Sequence, residues 1–211
     1  IANIALEHTA VLGNTLEQIA REKAGIIKKG SSVVLYRQGP SVEAVVRDVC
    51  QQQGASLFVT DPARGRTVSR TLEGQTLNYR DRNHLFLPLP GAYQAKNAFA
   101  ALEAVDALVR EKGYRISEEA IRRGVALVRW PGRLEVLRHD PLVLVDGAHN
   151  PDGVEALTAS LKEYFSKKRL TFVMGVMADK NYVEMLRMVT PLAGRFITVT
   201  PESERALSSA Q

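Results

Sequence analysis

The sequence predicts an α/β protein whose second part is Rossmann-like, and three observations carry that prediction. From residue 142 onward short apolar runs alternate with helical patterns: LVLVD (142–146), a helix at 152–165, LTFVM (170–174), a helix at 181–190 and a strand at 196–199. Strands alternating with helices are the pattern of right-handed βαβ units on a parallel sheet. LVLV, apolar at every position, reads as a strand of that parallel sheet. Trp130-Pro131-Gly132 breaks the pattern just ahead of this region and marks a linker, which divides the chain into residues 1–129 and 130–211.

The first part is justified element by element. IANIAL (1–6) reads as a buried strand leading into a loop with Glu7, His8 and Gly13. A helix follows at about 15–28, opened by the capping-box pair Thr15 and Gln18. Lys28 and Lys29 complement its dipole, and Gly30 stops it. SSVVLY (31–36) is a strand, 41–53 an amphipathic helix with Val42, Val45, Val46 and Val49 inward, and Leu57–Val59 a short strand. Segments 66–72, 75–80 and 84–88, separated by Gly74 and the Arg80–Asn83 turn, predict an antiparallel meander. Helices at about 93–112 and 117–127 complete this part.

Composition narrows the function classes. With 45% hydrophobic and 24% charged residues in 211, the chain is globular rather than disordered, and long enough to fold on its own core. Its one cysteine, Cys50, excludes an internal disulfide and a multi-cysteine zinc site, and points to a reducing compartment. No apolar run reaches the ~20 residues of a membrane span and no leader precedes the first strand, so a cytoplasmic location without membrane contact is expected. The net charge of +5 suits a small anionic ligand. The longest basic run, Lys167-Lys168-Arg169, has no interleaved aromatics and reads as a solvated helix end, not a nucleic-acid site. Ile at position 1 and the unclosed end ERALSSAQ give the expectation of a piece of a longer chain.

Several residues sit where chemistry is done. Lys23 lies four after Ile19 and four before Ile27, within the stripe of Leu16, Ile19, Ala20, Ile26 and Ile27. There it must snorkel, pair with an acid, or lose its charge, and a neutral amine can take up carbon dioxide as a carbamate. His8 follows an apolar strand, at the end where α/β sheets hold ligands; it is either a hydrogen-bonding group or a metal ligand. The strongest segment is Asp146-Gly147-Ala148-His149-Asn150-Pro151, between an apolar strand and a helix. Asn150 as N-cap and Pro151 at the first helical position have a structural explanation. Asp146 can accept from ribose hydroxyls, and His149 can meet an anionic substrate. Asn97, beside Gln94, and Arg133, after the Pro-Gly turn, are further candidates that ordinary surface roles would also fit. Gly25–Ser32 mimics a phosphate loop, but Ser31 stands where its lysine belongs and no strand precedes it.

Taken together, these segments resemble the folylpolyglutamate synthase / dihydrofolate synthase family of the Mur ligase superfamily. IALEHTAVLGNTLEQIAREKAGIIKKG is similar to the family's D-H-T, L-G-x-T and E-K-A-G-I sequence, and GAYQAKNAFAALEAVDAL to its H-Q-x-x-N-A helix. WPGRLEVL and VLVDGAHNPDGVEAL resemble its W-P-G-R and D-G-A-H-N-P signatures, and GVMADKNYVEML with TPESERAL its D-K-D and P-x-x-R-A segments. The resemblance spans essentially the whole chain.

It implies that residues 1–129 are the later part of a P-loop-type Mur ligase central (ATPase) domain, and 130–211 an incomplete Rossmann-like, C-terminal glutamate ligase domain. It further implies a monomeric ATP-dependent ligase that joins L-glutamate to a folate or to dihydropteroate through an acyl-phosphate. By resemblance, His8 is a magnesium ligand and Lys23, fifteen residues later, the carbamylated lysine of the metal site. Asn97, Arg133 and Asp146 contact ATP, with Asp146 on the ribose, and His149 lies by the acyl-phosphate and the incoming glutamate. Glu7 departs from the usual Asp before the histidine, and no P-loop is present, so the 211 residues alone are expected to lack ligase activity. A peptidoglycan Mur ligase and a non-catalytic nucleotide-binding module are the alternatives. A glycine-fingerprint oxidoreductase lacks its motif.

Overall fold

A computed structural model describes residues 1–6 and 12–210. It divides into two compact units: Ile1–Arg70 with Gly74–Pro88 and Tyr93–Arg129, and Trp130–Gln211 with Thr71–Glu73 and Leu89–Ala92. The fold is mixed α/β.

The first unit contains α1 (Leu16–Ala24), β1 (Ser32–Leu35), α2 (Pro40–Gln52) and β2 (Ser56–Val59). Thr15 caps α1: its hydroxyl accepts from Gln18 N–H while the Gln18 side chain accepts from Thr15 N–H, the reciprocal pair the sequence predicts. The helix ends at Ala24, four residues before the expected end, with Gly25 as C-cap. Ile26 then lies exposed in the turn, and Leu16 is also exposed, so the apolar stripe narrows to Ile19, Ala20, Ala24 and the post-helical Ile27. β1 and β2 pair in parallel, Val33 opposite Leu57. Against them pack Ala24, Val46 and Cys50, while Ile4, Ile19, Ala20 and Val42 form a second cluster.

The expected strand at 1–6 does not form. Ile1 lies opposite β1, its amine donating to Val34 O and its carbonyl accepting from Tyr36 N–H, but one bridging residue makes no ladder. By Ile4 the backbone N–H is taken by the Gln38 side chain instead.

β3 (Gly65–Thr71), β4 (Gly74–Tyr79) and β5 (Arg82–Leu87) form the expected meander, in sheet order β3-β4-β5. α3 (Ala92–Lys112) packs on it through Phe99, stacked on Tyr79 at 4.5 Å between centroids. Gly65 permits this approach, since a Cβ there would lie 2.5 Å from the Phe99 ring. Below the stack, the buried carboxylate of Glu103 accepts from the Tyr79 hydroxyl and pairs with Arg80, each at 2.5 Å. Arg82 bridges Asp106 of α3 and Glu118 of α4 (Glu118–Ala126), which ties both helices to the β4–β5 turn.

The second unit contains β6 (Glu135–His139), β7 (Leu142–Val145), α5 (Pro151–Tyr164), β8 (Leu170–Met174), α6 (Tyr182–Val189) and β9 (Ala193–Thr198). β8 and β9 are parallel, as the alternating pattern predicts. The expectation that β7 joins them in one parallel sheet is not met. β7 pairs antiparallel with β6, a strand absent from the sequence reading, and the four strands form two separate pairs. A hairpin closed over two residues, Asp140 and Pro141, joins β6 to β7 at little entropic cost and occupies one edge of β7. α5 and α6 pack through Val154, Met185 and Val189 onto Phe172, Met174 and Phe196, on one face of β8–β9.

Candidate functional site

The candidate residues fall in both units, and each unit is considered by itself. In the second, the turn at 132–134 and the loop at 146–150 lock together. The two oxygens of Asp146 accept from Leu134 N–H and Ala148 N–H, both at 2.8 Å, and Gly147 N–H donates to Gly132 O at 2.8 Å. Gly132 N–H donates in turn to Glu135 at 2.8 Å. Leu134 is held at φ 49°, a left-handed conformation costly for leucine, while its side chain is buried against Leu161 and Phe165. Asp146 therefore has a structural task that the sequence alone does not reveal. It fastens the segment after the Pro-Gly turn to the tip of β7.

This closure brings Arg133 onto the loop. A Cβ on Gly147 would lie 2.6 Å from Arg133 Nη1, so the guanidinium rests directly over the glycine. Among the described residues its one hydrogen bond is a long contact of 3.4 Å to Gly132 O, and no carboxylate pairs with it. A half-buried guanidinium with most of its five donors unspent is prepared for an anion.

His149 is exposed, and its Nδ1 lies 2.9 Å from Gly147 O. A carbonyl oxygen only accepts, so Nδ1 carries the proton and the Nε2 lone pair faces outward in the neutral ring. Asn150 then caps α5, its side chain accepting from Gly153 N–H at 2.7 Å, with Pro151 at the first helical position. Arg133, Asp146 and His149, separate in sequence, thus meet in one cluster.

In the first unit, Asn97 is exposed near the start of α3, and its amide is fixed from both ends. The Tyr36 hydroxyl, just past the carboxyl end of β1, donates to Asn97 Oδ1, and Asn97 Nδ2 donates to the buried Gln94 at 2.7 Å. Burial pushes the Tyr36 phenol up to about 12, so it remains a donor through the physiological range. Tyr36 is absent from the sequence-derived candidates. Its signal was its place at a parallel strand's carboxyl end. Lys23 is half-buried on α1, beside Ala24 rather than within a continuous apolar stripe. His8 and Glu7 lie outside the described residues. Among the described residues no three His, Cys, Asp or Glu side chains converge as a metal site.

Residues 132–211 match the model of the Mur ligase, glutamate ligase domain. A folylpolyglutamate synthase from Lacticaseibacillus casei is 34% identical over 218 residues, covering 100% of this chain and 50% of that protein. The chain belongs to the folylpolyglutamate synthase branch of the Mur ligases. A Bacillus subtilis dihydrofolate synthase/folylpolyglutamate synthase is 33% identical over 198 residues, 92% of this chain and 46% of its own length. The Mycobacterium tuberculosis folylpolyglutamate synthase complexed with ADP superposes with a TM-score of 0.85 at 33% identity, covering 99% of this chain and 48% of that one. An FPGS–AMPPCP–folate complex gives 0.82 at 32% identity, with 96% and 50% covered. The chain thus spans about half the length of the relatives it matches. No helix among the described residues is long and apolar enough to cross a membrane.

Proposed function

We propose that this chain contributes the glutamate-ligating half of a cytoplasmic ATP-dependent ligase that joins L-glutamate to a folate, or to dihydropteroate, through an acyl-phosphate. The observation that carries this reading is the Arg133 guanidinium, half-buried over Gly147 with no carboxylate partner among the described residues, beside Asp146 and His149. Arg133 holds the phosphates of ATP. Asp146, on the same loop, takes a ribose hydroxyl. Asn97, oriented by Tyr36 and Gln94, is the nucleotide-contact candidate of the first unit, taken by itself.

ATP supplies the phosphoryl group that activates a folate carboxylate, and the amine of glutamate displaces phosphate to form the amide. The outward Nε2 of His149 accepts the proton the amine must lose before it attacks. Lys23 and His8 are the residues proposed for a carbamate and a magnesium ion, which when bound offsets phosphate charge. The described residues alone do not assemble such a site, so no step here depends on it.

The full-length gene product, given ATP, L-glutamate and either tetrahydrofolate or dihydropteroate, is expected to release ADP only when glutamate is present. Release with a UDP-muramoyl substrate instead would move the chain to the peptidoglycan branch. ATP binding without turnover on any of the three would favour a nucleotide-binding module. Residues 1–211 alone are expected to show no turnover, and uptake of ¹³CO₂ on Lys23, read by NMR, tests the carbamate separately.

A further inference from the structure

We propose that Tyr36 is a positioning residue of the nucleotide site: its hydroxyl holds the Asn97 amide in the orientation that meets the nucleotide. This rests on the proposed reading in which Asn97 contacts ATP, and names the residue that prepares that contact.

The hydroxyl is delivered by a pinned segment. Past the end of β1, Tyr36 N–H donates to Ile1 O at 3.0 Å and Arg37 N–H to the hydroxyl of the buried Thr60 at 3.1 Å. Thr60 N–H donates back to Leu35 O at 2.9 Å, and Gln38 N–H donates to Glu43 of α2 at 3.0 Å. The backbone N–H groups of Tyr36, Arg37 and Gln38 are thus all fixed, so the half-buried Tyr36 ring leaves the chain from a rigid root. Its hydroxyl donates to Asn97 Oδ1. Burial pushes that phenol up to about 12, which keeps the donor proton in place.

Asn97 does not need this bond to fold. The residue is exposed, so water can satisfy its amide. It is also a weak helix former in an alanine-rich helix. Yet two other side chains are committed to it: Tyr36 from beyond β1, and Gln94, 4% exposed, at 2.7 Å within α3. An amide has two acceptor positions and two N–H groups, and here one of each is used among the described residues. One acceptor position and one N–H remain, held in a fixed direction, for a ligand group that both donates and accepts. Fixing them before the nucleotide arrives removes an ordering cost from the binding step.

Calorimetry with the ATP analogue AMPPCP on the full-length gene product compares the unaltered protein, Tyr36→Phe, Asn97→Ala and the double variant. Tyr36→Phe removes one hydroxyl and keeps the ring, and is expected to weaken AMPPCP about fivefold, the size of one hydrogen bond. In the Asn97→Ala background the same change is expected to alter affinity by less than ~1.5-fold, because the hydroxyl acts only through the amide. An equal loss in both backgrounds overturns the proposal, since the hydroxyl would then act without Asn97. Binding weakened by Asn97→Ala but unchanged by Tyr36→Phe also overturns it, and leaves the Asn97 contact standing. Unchanged binding in Asn97→Ala removes that contact and the role of Tyr36 with it. Relaxation of the Asn97 side-chain amide, read by NMR in the unaltered, nucleotide-free protein, requires no variant to fold. An order parameter of about 0.8 is expected, and a value below ~0.6 overturns the proposal.

Discussion

Replacing Asp146 with alanine removes one bond that holds the 132–134 turn to the tip of β7, from Leu134 N–H, and one that shapes the following loop, from Ala148 N–H. Each is a backbone N–H donating to a carboxylate at 2.8 Å, and a bond to a charged acceptor is worth about 1.5–3 kcal/mol. The site is half-buried, so water recovers part of both. Leu134, freed from φ 49°, also regains some of the ~1–3 kcal/mol its backbone conformation costs. The net loss is then about 2–3 kcal/mol, which for a unit of this size lowers Tm by roughly 10–20 °C. The assay is urea and thermal unfolding of residues 1–211, with amide exchange read at Leu134 and Ala148. Both amides should lose protection in Asp146→Ala. Asp146→Asn, which keeps one acceptor oxygen, should recover about half of the stability. A change below ~0.5 kcal/mol, with both amides still protected, would show that the carboxylate does not hold the turn.

Three further outcomes are expected. Gly147→Ala places a methyl group 2.6 Å from Arg133 Nη1, the far end of a flexible side chain; stability should change by less than ~1 kcal/mol while nucleotide affinity, measured by calorimetry on the full-length gene product, falls about tenfold. Glu103→Ala removes the buried carboxylate shared by the Tyr79 hydroxyl and Arg80, leaving Arg80 its 3.7 Å pair with Asp106, and should cost about 3 kcal/mol in urea unfolding, with Glu103→Gln costing less. Burial, and then the bond to Glu103, pushes the Tyr79 phenol up to about 12. Above its ordinary value of 10 the unfolded chain loses that proton while the folded chain keeps it. The stability this contributes is therefore complete below pH 10 and lost as pH rises toward 12. Tyr79→Phe should flatten the slope of stability against pH in that window, whatever it does to stability at neutral pH.

Features that depend on near neighbours were legible in the sequence. The Thr15–Gln18 box, the Asn150-Pro151 start of α5 and the Gly74 turn of the meander are decided within a few residues, and all three form. β6 escaped because Glu135–His139 mixes charge with only two adjacent apolar residues, and a shift in register between Val136 and Arg138 disturbs its alternation. Pairing partners escaped for another reason. An apolar run shows that a strand is buried, not which strand lies beside it, so LVLV could not disclose that β7 pairs with β6. Among the site residues, Arg133 and His149 stood out by motif. The support beneath them did not, because Leu134 at positive φ and Tyr36 against Asn97 exist only once distant segments meet.

The hydrogen bonds around Gly147 also decide how this loop can act. In a phosphate loop, consecutive backbone N–H groups point at the ligand and do the binding. Here Gly147 N–H is taken by Gly132 O, Ala148 N–H by Asp146 and Gly153 N–H by Asn150, so the loop and the first turn of α5 have spent those donors on themselves. The side chains that stand beside these spent donors are the guanidinium of Arg133 and the imidazole of His149. On the proposed reading, the nucleotide depends on them more than on the amides of Gly147, Ala148 and Gly153. Nucleotide binding should then fall sharply on Arg133→Ala, recover only partly with lysine, which lacks the planar fork, and respond little to loop substitutions that leave the guanidinium in place.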